Sequence, residues 1–319
     1  MPSPNLSEIV STTLRNRSAK LADNVSKGNP ILMKLKEKGA WKAASGRSIV
    51  QELDYAENST FMYYSGSETL NIGASDVISA AEFDWKQAAV AVQASGLEID
   101  VQNTGKEAVL DLLEARIKNA ERTMKNNITT GLYSDGTGTS GKQIGGLQLL
   151  VADDPTTGTV GGINRANFAF WRNKLVDASV EGIVVSATTI QSLFNLMYLR
   201  TTRGSDHADL IMADSVYYQF YLASLQNIQR VADSKMADAG FSTLKYIGAD
   251  VVFEDSTGMP AQHAYFLNTD YLHFRYAPKR LFKPLERVNS INQDAMVQLI
   301  TFAGNLTTSN SSLQGVIHA

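Results

Sequence analysis

The chain has 319 residues, 44% of them hydrophobic and 8% aromatic, with a formal net charge of −3; that is enough for two domains, or one elaborated domain, around a real core. No window approaches the ~18 uninterrupted apolar residues of a membrane span, and the start, MPSPNLSEIVSTTLRNRS, lacks the apolar stretch of a signal peptide. Cysteine is absent, which excludes disulfides, thiolate metal sites and cysteine nucleophiles and fits folding in a reducing cytoplasm.

Charge is unevenly spread. Residues 1–42 carry Arg15, Arg17, Lys20, Lys27, Lys34, Lys36, Lys38 and Lys42 against Glu8, Asp23 and Glu37. Ser48–Trp85 has no Lys or Arg, but holds Glu52, Asp54, Glu57, Glu68, Asp76, Glu82 and Asp84. A basic arm and an acidic stretch suggest two surfaces made for each other, although two separately solvated faces explain the split equally well. Within the first 29 residues Ile9, Val10, Leu14, Leu21 and Val25 stand at near-helical spacing, the pattern of an arm that is helical only when docked. Asn29-Pro30 then opens a short helix, PILMKLKEKG, with Pro30 at its first position and Gly39 past its end.

From Arg47 the period changes to two. Leu53 and Tyr55 alternate with Glu52 and Asp54, and Phe83 and Trp85 with Glu82 and Asp84, so the spacing predicts two strands of a long hairpin. Its tip carries Phe61, Met62, Tyr63, Tyr64, Leu70 and Ile72. Such a cluster marks a contact surface unless the tip folds back onto its own domain. A further strand, KQAAVAVQASGLEIDV, leads into the longest element, Thr104–Tyr133. There Leu110, Leu113, Ile117, Ala120, Met124 and Ile128 recur every three or four residues, a narrow apolar stripe on a helix of roughly 40 Å at about 1.5 Å per residue. Thr104 and Glu107 form a capping box, Glu114–Lys118 and Glu121–Lys125 are favourable i,i+4 pairs, and Lys118, Arg122 and Lys125 face outward.

Beyond the helix, SDGTGTSGKQIGGLQLLVADD reads as irregular backbone and Asn164–Ser179 as a helix. Two strand–helix units follow, GIVVS with ATTIQSLFNLMYL and DLIMAD with SVYYQFYLASLQNIQRV, which predict parallel strands with crossover helices. ADVVFED, AYFLNTD, YLHFRYA and DAMVQLITFAGNLTTS are strands of a β-rich close.

Candidate chemistry fails on spacing or context. Gly136–Gln143, GTGTSGKQ, matches most of a phosphate-binding loop. That loop needs a strand before it and a helix starting at its lysine. Here a helix precedes it, and Gln143 replaces the magnesium-binding hydroxyl. His207, His263, His273 and His318 sit at no metal-ligand spacing. Asp153-Asp154 before Pro155 reads as a turn, and no G-x-S-x-G elbow occurs. Neither enzyme chemistry nor a cofactor or metal site is expected.

The order of parts is more specific than any motif. LYSDGTG (Leu132–Gly138) with IGGLQ (Ile144–Gln148), then ADVVFED, YFLNTDYLHF and the closing NQDAMVQLITFAGNLTTSN, following a basic arm, an acidic hairpin and a long helix, resemble the major capsid proteins of tailed bacteriophages, which have the Hong Kong 97-type fold. The resemblance implies an α+β chain divided into an N-terminal arm (1–46), an extended hairpin loop (47–86), a peripheral domain with a spine helix at 105–132 (87–146), an axial α/β domain (147–264) and peripheral return strands (265–319). It implies a self-assembling subunit of an icosahedral virion head around double-stranded DNA, built as hexamers and pentamers in the host cytoplasm. Its partners would be a separate scaffolding protein, a portal protein and a decoration protein, with no membrane. The inter-subunit contacts fall to Glu52, Asp54, Phe61, Met62, Tyr63, Tyr64, Leu70 and Ile72 on the hairpin and to Lys118, Arg122 and Lys125 on the helix. Some members cross-link through a lysine in this loop; none stands here, so a non-covalent shell follows. An encapsulin-like nanocompartment is the alternative on the same fold.

Overall fold

The computed structural model describes residues 30–97, 106–225, 243–254, 258–286, 288–289 and 293–319, without the side chains of 106–114 and 243. The N-terminal arm, the Thr104 capping box and the end of the second crossover helix lie outside these residues.

Helix α1 (Pro30–Glu37) starts at its proline and stops where Gly39 takes φ +74°, a conformation that costs glycine nothing. It buries Ile31 and Leu35 and, unusually, Lys34. Strand β1 (Trp41–Ala43) follows, then β2 (Ile49–Asp54) and β3 (Ile78–Phe83), the two arms of the hairpin. Strand β4 (Lys86–Ser95) leads to helix α2 (Lys106–Leu132). The described part of the α2 stripe, Ala120, Met124 and Ile128, is buried with Ile117 beside it, as its spacing requires.

Two six-stranded sheets carry the body. In the first, the 14-residue β15 (Ala295–Thr308) is the axis. It pairs antiparallel with β4 from Ala295↔Ser95 to Gly304↔Lys86, and along its other side with β14 (Val288–Asn289), β13 (Lys283–Pro284) and β12 (Leu272–Tyr276). β1 adds parallel to β12. The second sheet runs β7 (Lys174–Asp177), β16 (Gly315–His318), β11 (His263–Leu267), β8 (Leu210–Ala213), β10 (Ala249–Phe253) and β9 (Thr243–Tyr246). Both its faces are covered, so β8 is buried at every residue. Leu210 and Met212 face the first core with Leu132, Tyr133 and Phe274, whereas Ile211 and Ala213 face a second core under helices α3 (Ile190–Thr201) and α4 (Ser215–Ser224).

Three sequence expectations are corrected. Asn164–Ser179 is not a helix: it holds the end of the short hairpin β5 (Thr159–Val160)–β6 (Ile163–Asn164), a single 3-10 turn at Ala169–Trp171, and β7. Its polar side chains serve neighbouring backbone instead. Arg165 Nη2 donates to the Leu150 carbonyl at 2.5 Å, Trp171 Nε1 to Val160 O at 2.9 Å, and the Asn173 carboxamide clamps Ala152 through both its N–H and its C=O. GIVVS is not a strand either. Gly182 sits at φ +68°, Val184 is exposed, and the Val184 carbonyl accepts from the Thr189 hydroxyl just ahead of α3. Only the second strand–helix unit survives, with β8 and β10 parallel across α4. Finally, β11 and β16, expected among the return strands after Tyr265, pair within the second sheet.

A charged pin joins α1 to that sheet. Lys34 Nζ lies 2.6 Å from an Asp250 carboxylate oxygen on β10 and 3.1 Å from Glu37, and Lys245 holds the other Asp250 oxygen. Burial alone would push the Lys34 ammonium down and the Asp250 carboxyl up, but the pairing outweighs it and shifts each toward its charged form.

Candidate assembly surface

The hairpin is a two-faced ribbon. Ile49↔Phe83 through Asp54↔Ile78 pair in register, so Ile49, Leu53, Ala81 and Phe83 share the buried face. Glu52 and Asp54 lie on the outward face with Val50, Ile78 and Glu82. The ribbon's root seats against the β5–β6 turn, where Glu82 N–H donates to the Gly161 carbonyl at 2.9 Å. Gly161 has φ +58°, and a Cβ there would stand 2.9 Å from the Ala81 methyl; the seat therefore requires glycine. Tyr55 stacks on Phe170 with centroids 5.2 Å apart, the last aromatic contact to the body before the tip.

Between Asp54 and Ile78 there is no regular structure, and short polar bonds shape the tip. Ser59 meets the Ser75 hydroxyl at 3.2 Å across the ribbon, Asn58 Oδ1 accepts from Thr60 N–H, and Glu68 accepts from Ser65 N–H. These bonds leave the apolar side chains outside: Phe61 is 74% exposed, Tyr63 90%, Tyr64 64% and Ile72 91%, with Leu70 and Met62 exposed to a lesser degree. The tip does not fold back onto its own body. Phe61 and Tyr63 meet edge to face at 5.2 Å, so two rings are held side by side.

On α2, Lys118 and Lys125 are exposed and Arg122 half-buried. At ~100° per residue they share one face, about 120° round the helix from the buried stripe. The acidic ribbon face and this basic helix face therefore belong to different elements, each turned to solvent at least in part.

The glycine-rich segment is a packed turn. Gly138–Gly141 makes one helical turn with Thr139 and Ser140 left-handed. The amides of Gly141, Lys142 and Gln143 bond to the carbonyls of Thr137, Thr139 and Gly138. Those N–H groups are spent internally rather than presented to an anion, which is the opposite of a phosphate cradle. The segment is also fastened from outside: Lys86 Nζ donates to Gly141 O at 2.7 Å, and Asn305 Oδ1 accepts from Gly145 N–H. Two hydrogen bonds from Thr137 hold the Asp135 carboxyl below the usual carboxylate range.

The histidines serve packing, in pairings that sequence spacing did not expose. His263 Nε2 faces Asp153 at 3.1 Å, its Nδ1 faces the Ala261 carbonyl, and its ring stacks on His318 at 5.6 Å. Burial would lower its pKa; the two acceptors outweigh that and raise it. His273 is buried on β12 with Lys42 Nζ 3.1 Å from its Nε2. Burial, then Lys42 and Arg275, push it down to about 4. Asp153 and His263 are 110 residues apart, and no local pattern announces the pair. Among the described residues no cluster of three His, Cys, Asp or Glu could hold a metal ion, and no helix is long and apolar enough to cross a membrane.

Neither a protein-family model nor a curated protein sequence matches the chain. Solved structures do, along nearly the whole length. The cyanophage A-1(L) capsid subunit superposes with a TM-score of 0.69 at 19% identity, covering 98% of this chain and 99% of that one. The fold is the Hong Kong 97-type capsid fold. A capsid chain of a native GTA particle gives 0.63 at 11% identity, with 96% and 95% covered. The SrpI encapsulin of Synechococcus elongatus gives 0.61 at 10% identity, with 99% and 96% covered.

Proposed function

We propose that the chain is the major capsid protein of a tailed phage, the self-assembling structural subunit of an icosahedral head held together without covalent cross-links. The observation that carries the reading is a ribbon that buries its root and exposes an aromatic tip. A monomer gains nothing from three aromatic and three other apolar side chains in water, whereas a repeated lattice buries them once per subunit. Its first partner is itself, in hexamers and pentamers; a scaffolding protein, a portal, a decoration protein and packaged double-stranded DNA complete the set. The site is the virion, and assembly takes place in the host cytoplasm. The first sheet with α2 serves as the peripheral domain and the second sheet with α3 and α4 as the axial one. The acidic face of Glu52 and Asp54 and the basic face of Lys118, Arg122 and Lys125 steer neighbouring copies together.

The purified chain, concentrated at moderate salt and viewed by electron microscopy, is expected to give capsomers or closed shells. A strictly monomeric protein at high concentration overturns the proposal. The encapsulin match supports a second reading, a cellular compartment shell, which predicts an enzyme cargo rather than DNA and a portal in shells recovered from the native source.

A further inference from the structure

The loop at 152–159 leaves the first core and returns to it. Val151 before it and Val160 after it are both buried there, and Val160 belongs to the β5–β6 hairpin whose Gly161 carbonyl seats the ribbon. The loop is held near its ends by the Asn173 carboxamide on Ala152 and by Arg165 N–H on the Gly158 carbonyl at 3.0 Å. Between them Asp153 reaches the second sheet, where its Oδ2 lies 3.1 Å from His263 Nε2 at the start of β11. Among the described residues this is the one ion pair whose cation is a histidine, the side chain that changes charge between about pH 5 and 8.

We propose that Asp153 and His263 form a proton-operated latch that fastens this loop, and through it the seat of the ribbon, to the end of the second sheet. It goes beyond the shell reading and does not rest on it. The ring nitrogens of His263 face two acceptors at once, the Ala261 carbonyl at 2.7 Å from Nδ1 and the Asp153 carboxylate from Nε2. Only the imidazolium has two N–H groups to meet both. The ring is held in plane from the side: His263 pairs in register with His318 on β16, and the two rings stack 22° from parallel at 5.6 Å. The other charged or titratable groups packed round the pair are committed elsewhere or carry no charge to spare. Asp214, at the β8–α4 junction, accepts from the Tyr217 and Gln262 amides. Asp177, next to His318 in the same rung, accepts from the Ser179 and Val180 amides, and Tyr265 is a buried phenol. A neutral ring has one N–H for two acceptors. Ala261 is two residues away along the chain and cannot leave, so Asp153, half exposed on its loop, is the acceptor that lets go. Burial would lower the His263 pKa and raise that of Asp153; the pairing outweighs burial in both. The latch is therefore closed below about pH 6.5 and opens as pH rises through the raised folded value of His263.

Hydrogen exchange of the full chain at about pH 6 and about pH 8.5, with intrinsic rates divided out, reads the latch. The amides of Ala152, Arg165 and Glu82 donate to Asn173, Gly158 and Gly161. Their protection is expected to fall about three-fold at the higher pH, the size of an ion pair half open to water. Asp153→Asn and His263→Gln are expected to show the lower protection at both pH values, so that the pH dependence disappears. His207→Gln, which removes a histidine bonded to the Ser205 carbonyl, is the control and should keep it. The parent's pH dependence surviving in Asp153→Asn overturns the latch. A change confined to Ala152 and Arg165, with Glu82 unmoved, overturns its link to the ribbon seat. Nuclear magnetic resonance titration of the His263 ring in the parent chain gives a readout that needs no variant. Its midpoint is expected above the ordinary 6.5, and a midpoint at or below that value overturns the proposal.

Discussion

Replacing Tyr63 by serine removes the most exposed aromatic ring of the tip without touching the folded body. Tyr63 is 90% exposed and meets Phe61 as its one ring neighbour. A tyrosine buries ~200 Å² when covered, so about 180 Å² becomes available to a neighbour. At ~25 cal/mol per Å² that is a gross 4–5 kcal/mol. Imperfect packing and lost side-chain freedom reduce it, leaving about 2–4 kcal/mol per contact. The concentration threshold for assembly should rise by a factor of roughly 30 to 1,000, at 1.4 kcal/mol per decade. The dissociated subunit should keep its stability within about 0.5 kcal/mol, as surface changes do. Light scattering across a dilution series gives the threshold, and urea unfolding gives the stability. Val180→Ser, which removes another side chain that is 81% exposed, is the control and should leave the threshold where it was. A Tyr63→Ser threshold within about three-fold of the parent, or a Val180→Ser shift of equal size, would refute the argument that the tip is buried by assembly.

Two further expectations concern the body of the subunit. His273, held neutral with a pKa of about 4 against an ordinary 6.5, contributes stability that is complete above the unfolded value and fades as pH falls from about 6.5 toward 4. Linkage gives about 2 kcal/mol lost between pH 7 and pH 5. His263, whose pKa is raised, works in the opposite sense: its contribution is complete below about 6.5 and fades as pH rises through its folded value. The clean quantity is therefore the difference between parent and His273→Gln. Urea midpoints at the two pH values should show the variant's slope flattened by that amount, and parallel slopes would contradict the assignment. At the charged pin, Asp250→Asn removes the carboxylate that Lys34 and Lys245 share and leaves the buried Lys34 with Glu37 at 3.1 Å, and should cost up to about 3–5 kcal/mol. Lys34→Met leaves Asp250 still paired with Lys245 and should cost clearly less in the same denaturation assay. Equal losses would show that the two lysines are not shared through Asp250.

What the sequence disclosed and what it hid follow from the range of the interactions involved. The α2 stripe, the Pro30 start and Gly39 stop of α1, and the period-two arms of the hairpin are local patterns, and each is where its residues put it. Residues 164–179 misled because Phe168, Trp171 and Leu175 happen to fall at helical spacing, while the interactions that decide their fate are distant. Lys174–Asp177 is a strand only because Gly315–His318 lies beside it, and Arg165 is committed to a carbonyl fifteen residues away. The exposed tip could be read from composition, since apolar residues amid turn formers have no periodic face to hide on. A cleft of about 380 Å³ between β4 and α2 could not be read in this way. It is assembled from β4, α2, the glycine-rich turn and Phe302, four segments whose proximity only the fold creates.

The placement of β15 and β16 has a bearing on biosynthesis. Until residues 295–318 leave the ribosome, β4 lacks the strand it pairs with along its whole length, and β7 and β11 lack the strand that lies between them. Neither sheet can close on a nascent or prematurely terminated chain. On the proposed shell reading, the exposed tip therefore emerges on a body that is still incomplete. On that reading, only a chain carrying β15 and β16 acquires the frame that another copy would contact, and fragments lacking them would not join a shell.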